Sequence, residues 1–248
     1  MRDDEQSLLS WSQRLARTMV PPRVHAWWRA RRALRRGEPE LSLLPFLVPR
    51  DRLALDIGAN KGTYSYFLSR LCPQVIAYEP NPAMRLLLQK AMLPNVTVLP
   101  VAVSNKAGHA ELMIPRNRKG YCNNVGTLDT DRSFEGDVMR VSVETVRLDD
   151  QGHENVGFIK IDVEGHELEV LEGCEALLRR DHPVLLVEII DWNGTRPWQE
   201  SVARFTNLGY AAFMLVDGRL TAVEQLLSGP SLDVAEKVRN VIFLPRVA

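Results

Sequence analysis

The chain has 248 residues, 45% of them hydrophobic, and its 31 basic and 31 acidic side chains cancel to a formal net charge of +0. That length suits one α/β domain with a few added elements, and the neutral balance gives no bulk attraction to nucleic acid. Cys72, Cys122 and Cys174 are too scattered for a disulfide framework or a zinc pattern, no apolar run approaches the roughly 18 residues of a membrane span, and Met1-Arg-Asp-Asp-Glu5 lacks the basic start of a signal peptide. The expectation is a cytoplasmic protein with no transmembrane segment and no nucleic-acid partner.

In chain order, residues 23–36 are the one biased segment, with Arg29, Arg31, Arg32, Arg35 and Arg36 around Trp27 and Trp28. They read as a helix with a basic and an aromatic face, open to packing by its tryptophans on the domain, to an anionic partner or membrane surface, or to a homodimer contact. Gly37 and Pro39 break it, and a boundary falls near Pro49, so that residues 1–48 form an N-terminal helical extension. Three strand and helix units follow: a strand at 53–57 with a helix at 61–71, a strand at 75–78 with a helix capped by Asn81 and Pro82, and a strand at 96–101 running on toward Ala102. Such a succession argues a parallel sheet. Residues 110–114 and 138–143 read as an inserted hairpin around a long polar loop that carries Arg116, Arg118, Lys119, Asn123 and Asn124, a length at which loops often serve as lids. Strands at 157–161, 184–189, 210–215 and 241–244, with helices at 166–179 and 197–207, complete the pattern.

The organising stretch is Ala54-Leu-Asp-Ile-Gly-Ala-Asn-Lys-Gly62, a buried strand that breaks into a glycine-marked turn and then a helix. A loop of this kind is expected to offer unpaired N–H groups to an anionic or polar ligand, while Asp56 at the strand tip has the opposite preference, so the pair suits a ligand bearing both signs of charge. Glu79 ends the next strand about 20 residues past the glycine loop, where a doubly wound fold binds ribose hydroxyls. Further strand tips deliver Ala102 and Ser104, then Asp162, Glu164 and His166 around Gly165, then Glu188 and Asp191. Glu167 and Glu169 are expected to be solvated on the first helical turn, where acids favour the dipole.

Asp56-Ile-Gly-Ala-Asn-Lys-Gly62, Glu79-Pro-Asn-Pro82, Ala102-Val-Ser104 before Gly108, and Lys160-Ile-Asp-Val-Glu-Gly-His-Glu167 with Leu171-Glu-Gly173 resemble, in order and spacing, the FkbM-type S-adenosylmethionine-dependent methyltransferases. The resemblance covers roughly 49–190, and Asn60 in the middle slot of the glycine loop is a feature those sequences share. It implies a class I methyltransferase domain over 49–248: a Rossmann-like, mostly parallel seven-stranded sheet with helices on both faces and an antiparallel last strand. It also implies S-adenosyl-L-methionine as cofactor and O-methylation of a sugar or other hydroxylated small molecule. On that reading Asp56, Gly58, Ala59, Asn60 and Gly62 meet the methionine end, Glu79 and Pro80 the ribose, and Ala102 the adenine, with Asp162 adjoining the cofactor. The candidates for taking the acceptor's proton are His166, Asp162 and Glu164. Asp162, Glu164 and Glu188 would also suit magnesium, although no spacing requires a metal. A nicotinamide-dependent oxidoreductase and a cofactor-binding protein without activity are the alternatives.

Overall fold

The computed structural model describes residues 21–117, 120–122, 125–130, 132–134, 136–190, 198–228 and 238–246. Asp191, Pro197, Arg118, Lys119, Asn123 and Asn124 lie outside them. The described strands are β1 (Leu53–Ile57), β2 (Val75–Tyr78), β3 (Val96–Leu99), β4 (Ala102–Val103), β5 (Gly108–Asn117), β6 (Gly120–Tyr121), β7 (Val138–Val146), β8 (Val156–Ile161), β9 (Val184–Ile190), β10 (Tyr210–Val216), β11 (Arg219–Ala222) and β12 (Val238–Pro245).

Eight of them form the main sheet, in the order β3-β2-β1-β8-β9-β12-β10-β11. β3, β2, β1, β8 and β9 run parallel, and β12 enters antiparallel between β9 and β10. This is the expected Rossmann-like arrangement with one strand more than seven. The addition is β11, which folds back on β10 through Asp217 and Gly218, both at positive φ, and pairs antiparallel with it.

Alternation along the strands explains why both faces are covered. Leu55 and Ile57 of β1, Ile159 and Ile161 of β8 and Leu185 and Val187 of β9 bury against the face that holds Val170, Leu177, Val202 and Phe205 from helices. Ala54, Phe158 and Leu186 point the other way, onto Leu41, Leu44, Tyr64 and Leu68. Leu41, Leu44 and Val48, all upstream of β1, therefore share a core with the sheet.

Four expected elements differ in detail. The run 96–101 does not continue into Ala102: the strand stops before Pro100, which has no N–H for the ladder, and Ala102–Val103 pairs instead with β7 in a second sheet, ordered β4-β7-β5-β6. The inserted hairpin is longer than its apolar core, β5 and β7 pairing from Gly108 with Thr145 to Pro115 with Val138. The helix expected at 166–179 is two helices, Glu167–Glu172 and Glu175–Asp181, because Cys174 at φ −135 leaves the helical conformation; just before it, Gly173 packs so closely on Ser104 that a Cβ there would lie 2.1 Å from the Ser104 carbonyl oxygen. The helix Pro22–Arg36 packs through Ala26 and Ala30, 3% and 1% exposed, rather than through its tryptophans: Trp28 is 70% exposed. No helix among the described residues is long and apolar enough to cross a membrane.

Candidate active site

The strand order reverses between β1 and β8, and ligands of open α/β sheets sit at such a point, beyond the carboxyl ends of the strands. A cavity of about 330 Å³ opens there. Ile57, Gly58 and Asn60 line it from β1 and its loop, Glu79 and Pro80 from β2, Asp162, Glu164 and His166 from β8, and Glu188 from β9. Ala102, Val103, Leu112, Gly126 and Leu128 close the side made by the inserted sheet and the loop within it.

On the β1–β2 side the groups are fixed by backbone. Gly58 has φ +76, and a Cβ there would lie 1.8 Å from the Asp162 carbonyl oxygen, so only glycine lets the loop cross beneath β8. Asn60, in the slot often held by glycine, is left-handed at φ +50, a conformation asparagine tolerates. The Glu79 carboxylate is buried and accepts from the Asn60 N–H at 2.6 Å and the Asn81 N–H at 2.8 Å. Burial pushes its pKa up to about 7, against the pull of those two donors. Asn81 caps the helix Pro82–Ala91 by accepting from the Ala83 N–H at 2.9 Å, which holds Glu79 at the cavity wall.

Four of the N–H groups expected to be unpaired are donated within the protein. Gly58 and Ala59 both donate to the Tyr78 carbonyl at 3.0 Å, Asn60 to Glu79, and Gly62 to the Ala59 carbonyl at 2.7 Å. The helix that follows, Thr63–Leu68, has only 6 residues. The loop spends these four donors on its own shape. Asp56 accepts from the Ser65 hydroxyl and faces a second cavity on the far side of the loop rather than the first. Burial raises its pKa to about 6.

On the β8–β9 side acids crowd together. Asp162 follows β8, its N–H tied to the Ile57 carbonyl at 3.0 Å and its carboxylate 3.7 Å from the Lys160 ammonium. Burial, then the charge of Asp162, pushes Glu188 up to about 9. Glu164, at φ +58, pairs with Arg132 at 3.2 Å, and burial raises it to about 7. His166 lines the cavity with both ring nitrogens near protein partners: Nε2 lies 2.9 Å from the Ser104 hydroxyl and Nδ1 3.6 Å from Glu169. Glu167, expected to be solvated, is buried instead: its carboxylate accepts from the Gly165 N–H at 2.9 Å and shapes the turn, and burial pushes it up to about 8. Among the described residues no group of three or more His, Cys, Asp or Glu is arranged to hold a metal ion.

Comparison with known proteins now identifies the frame. The pattern of the methyltransferase FkbM domain matches residues 56–215. The chain belongs to the FkbM methyltransferase family. It is 30% identical over 193 residues to methyltransferase sdnD of Sordaria araneosa, spanning 62% of this chain and 73% of that protein. It is 33% identical over 163 residues to the hexuronic acid methyltransferase AglP of Haloferax volcanii, covering 63% of each. A solved FkbM methyltransferase from Methylobacillus flagellatus has the same fold, with a TM-score of 0.50 at 13% identity, and covers 78% of this chain, which spans 43% of that one.

Within this FkbM fold the structure brings Gly58, Asn60, Glu79, Pro80, Ala102, Asp162, Glu164 and His166 around one cavity, and puts Asp56 and Ala59 on the other. Gly62 lines neither among the described cavities; at φ +79 it starts the helix. Sequence reasoning missed Lys160 and Arg132. The signal for Lys160 was a cation at an inward position of an otherwise apolar central strand, where it is 1% exposed. Arg132 carried no local signal, because its partner Glu164 is 32 residues away in the chain.

Proposed function

We propose that this chain is an S-adenosylmethionine-dependent O-methyltransferase that methylates a hydroxyl of a sugar or another small molecule. The observation that carries the reading is the division of one cavity between a ribose-suited carboxylate, Glu79, and an acid-rich end at Asp162 and Glu188. The residues present fit the cofactor. Glu79 keeps lone pairs for two hydroxyls beyond the two N–H groups it accepts, Ala102, Val103 and Leu112 offer apolar surface to a base, and about 330 Å³ lies in the range of small-molecule sites. When bound, the cofactor supplies an electrophilic methyl carbon on a sulfonium. FkbM membership favours this over a nicotinamide enzyme, and the name of the relative AglP supports a sugar as acceptor class.

The chain's own tasks are alignment, exclusion of water and removal of one proton. An aliphatic alcohol is about as weak an acid as water, roughly 15.7 on the pKa scale, so a base must take its proton as the bond forms. The geometry reorders the candidates. His166 Nε2 lies within hydrogen-bond distance of the Ser104 hydroxyl, Glu164 is held by Arg132, and burial with the charge of Asp162 pushes Glu188 toward its protonated form. Asp162 lines the cavity with its side chain 34% exposed and the Lys160 ammonium behind it, which makes it the base in this reading, with His166 second. Residues 49–248 are the catalytic domain of the proposal, acting in the cytoplasm without a metal. The test is incubation with S-adenosylmethionine and a panel of hydroxylated sugars, acidic ones included, with and without chelator. An O-methylated product formed equally in both is expected. No turnover with any acceptor, despite cofactor binding, would favour the binding-protein alternative, and loss on chelation would end the metal-free mechanism.

A further inference from the structure

The helix Pro22–Arg36 is inverted relative to an ordinary surface helix, which buries its large apolar side chains and turns its polar ones to water. At 3.6 residues per turn Ala26, Ala30 and Ala33 share one flank, and the helix packs with them toward Thr63–Leu68 and Pro82–Ala91. Val24, Trp27, Trp28 and Leu34 fall on the other flank and are exposed, with Arg31 and Arg35 among them. The Arg31 guanidinium lies 4.8 Å from the centre of the Trp27 ring. Val24 and Trp27 also run into a groove of about 430 Å³, walled by Tyr66, Met92 and Leu93 and edged by Arg23 and Arg70, so the apolar surface continues past the helix itself. Charge sets this face apart from the rest of the molecule. The helix holds six arginines and no acid in a chain of net charge +0, which leaves −6 on the remainder. A two-fold contact with a second copy would set arginine against arginine. A protein interface gathers its apolar side chains at the centre and its charges at the rim, whereas here cations and indole rings alternate along a helix of about 22 Å. That mixture matches the headgroup layer of a bilayer, where indoles sit at the boundary and arginines meet phosphates.

We propose that the outer face of this helix docks on an anionic phospholipid bilayer, with Trp27 and Trp28 entering the headgroup layer and Arg23, Arg31 and Arg35 binding lipid phosphates. The inner side of the same helix, at Arg29 and Ala33, lines the cavity beside the glycine loop, so the docked face and the cleft are two sides of one helix about 10 Å across. The helix lies upstream of residues 56–215, outside the family pattern, and the docking depends on neither the cofactor nor the acceptor proposed above.

The test is co-sedimentation of the full chain with vesicles of phosphatidylcholine alone and of phosphatidylcholine mixed with phosphatidylglycerol. Binding to the mixed vesicles, little to the neutral ones, and release on raising the salt are expected. Trp27→Ala with Trp28→Ala should weaken binding roughly tenfold, and Arg31→Gln with Arg35→Gln roughly tenfold to thirtyfold. All four side chains are exposed, so both variants should melt near the wild-type temperature. Arg116→Gln with Arg140→Gln removes the same charge from exposed sites on the inserted hairpin and should leave binding within about twofold. Equal pelleting with both kinds of vesicle, pelleting with neither, unchanged binding in the two helix variants, or an equal loss in the hairpin variant would overturn the proposal. So would a dimer in solution that Trp28→Ala dissociates, which would give the face to a second copy, or tighter binding to polyglutamate than to the mixed vesicles, which would give it to an acidic protein.

Discussion

The two halves of the cleft hold their acids in different ways. At the ends of β1 and β2, Glu79 is gripped by backbone N–H groups and Asp56 by a serine hydroxyl, so each carboxylate has one fixed orientation before any ligand arrives. At the ends of β8 and β9, Asp162, Glu164 and Glu188 face one another with Lys160 and Arg132 to offset them among the described residues, and burial with mutual repulsion raises Glu164 and Glu188. A preformed set of acceptors suits recognition. A crowd of carboxyls whose protons are loosely apportioned suits proton transfer.

Asp162→Asn should break the comparison most severely. Removing the proposed base is expected to lower kcat by about 10²- to 10⁴-fold, while S-adenosylhomocysteine affinity, read by calorimetry, stays within about threefold. Equal losses in both would place Asp162 in the recognition half instead. A smaller effect sharpens the contrast through stability. Glu167 has a folded-state pKa of about 8 against an ordinary value of 4.5, so the folded chain holds a proton that the unfolded chain releases. Its stabilising contribution is complete below about 4.5 and is lost as pH rises toward 8, by at most about 1.4 kcal/mol per pH unit. Glu167→Gln, which keeps an oxygen for the Gly165 N–H, should flatten the fall of melting temperature between about pH 5 and pH 8. An unchanged slope would show that Glu167 is not the group that titrates.

The placement of the β1–β2 half was legible in the sequence because its chemistry is local. Gly58, Asn60, Glu79 and the Asn81-Pro82 cap are set by turn and cap preferences that act over a few residues. The β8–β9 half was legible only in its residue types. That Glu164 meets Arg132, that His166 meets Ser104, and that Glu167 is buried are outcomes of packing between segments far apart in sequence, which no local spacing encodes. The same holds for the fold. The parallel strands followed from hydrophobic runs, whereas the departure of Ala102–Val103 into a second sheet and the addition of β11 depend on which edges were free to pair. Even the glycine loop misled in one respect: its glycines marked the turn correctly but said nothing of where the N–H groups would point.

The claim on which the account turns is that an ionised Glu79 grips the ribose of the cofactor. Because burial holds its pKa near 7, the free protein must give up a proton there before binding, so affinity should strengthen as pH rises through that value. Calorimetric titration with S-adenosylhomocysteine at pH 6 and pH 8 should show binding about tenfold tighter at the higher pH for the wild type, and weak, pH-insensitive binding for Glu79→Gln. Equal affinity of the two proteins at both pH values would contradict it.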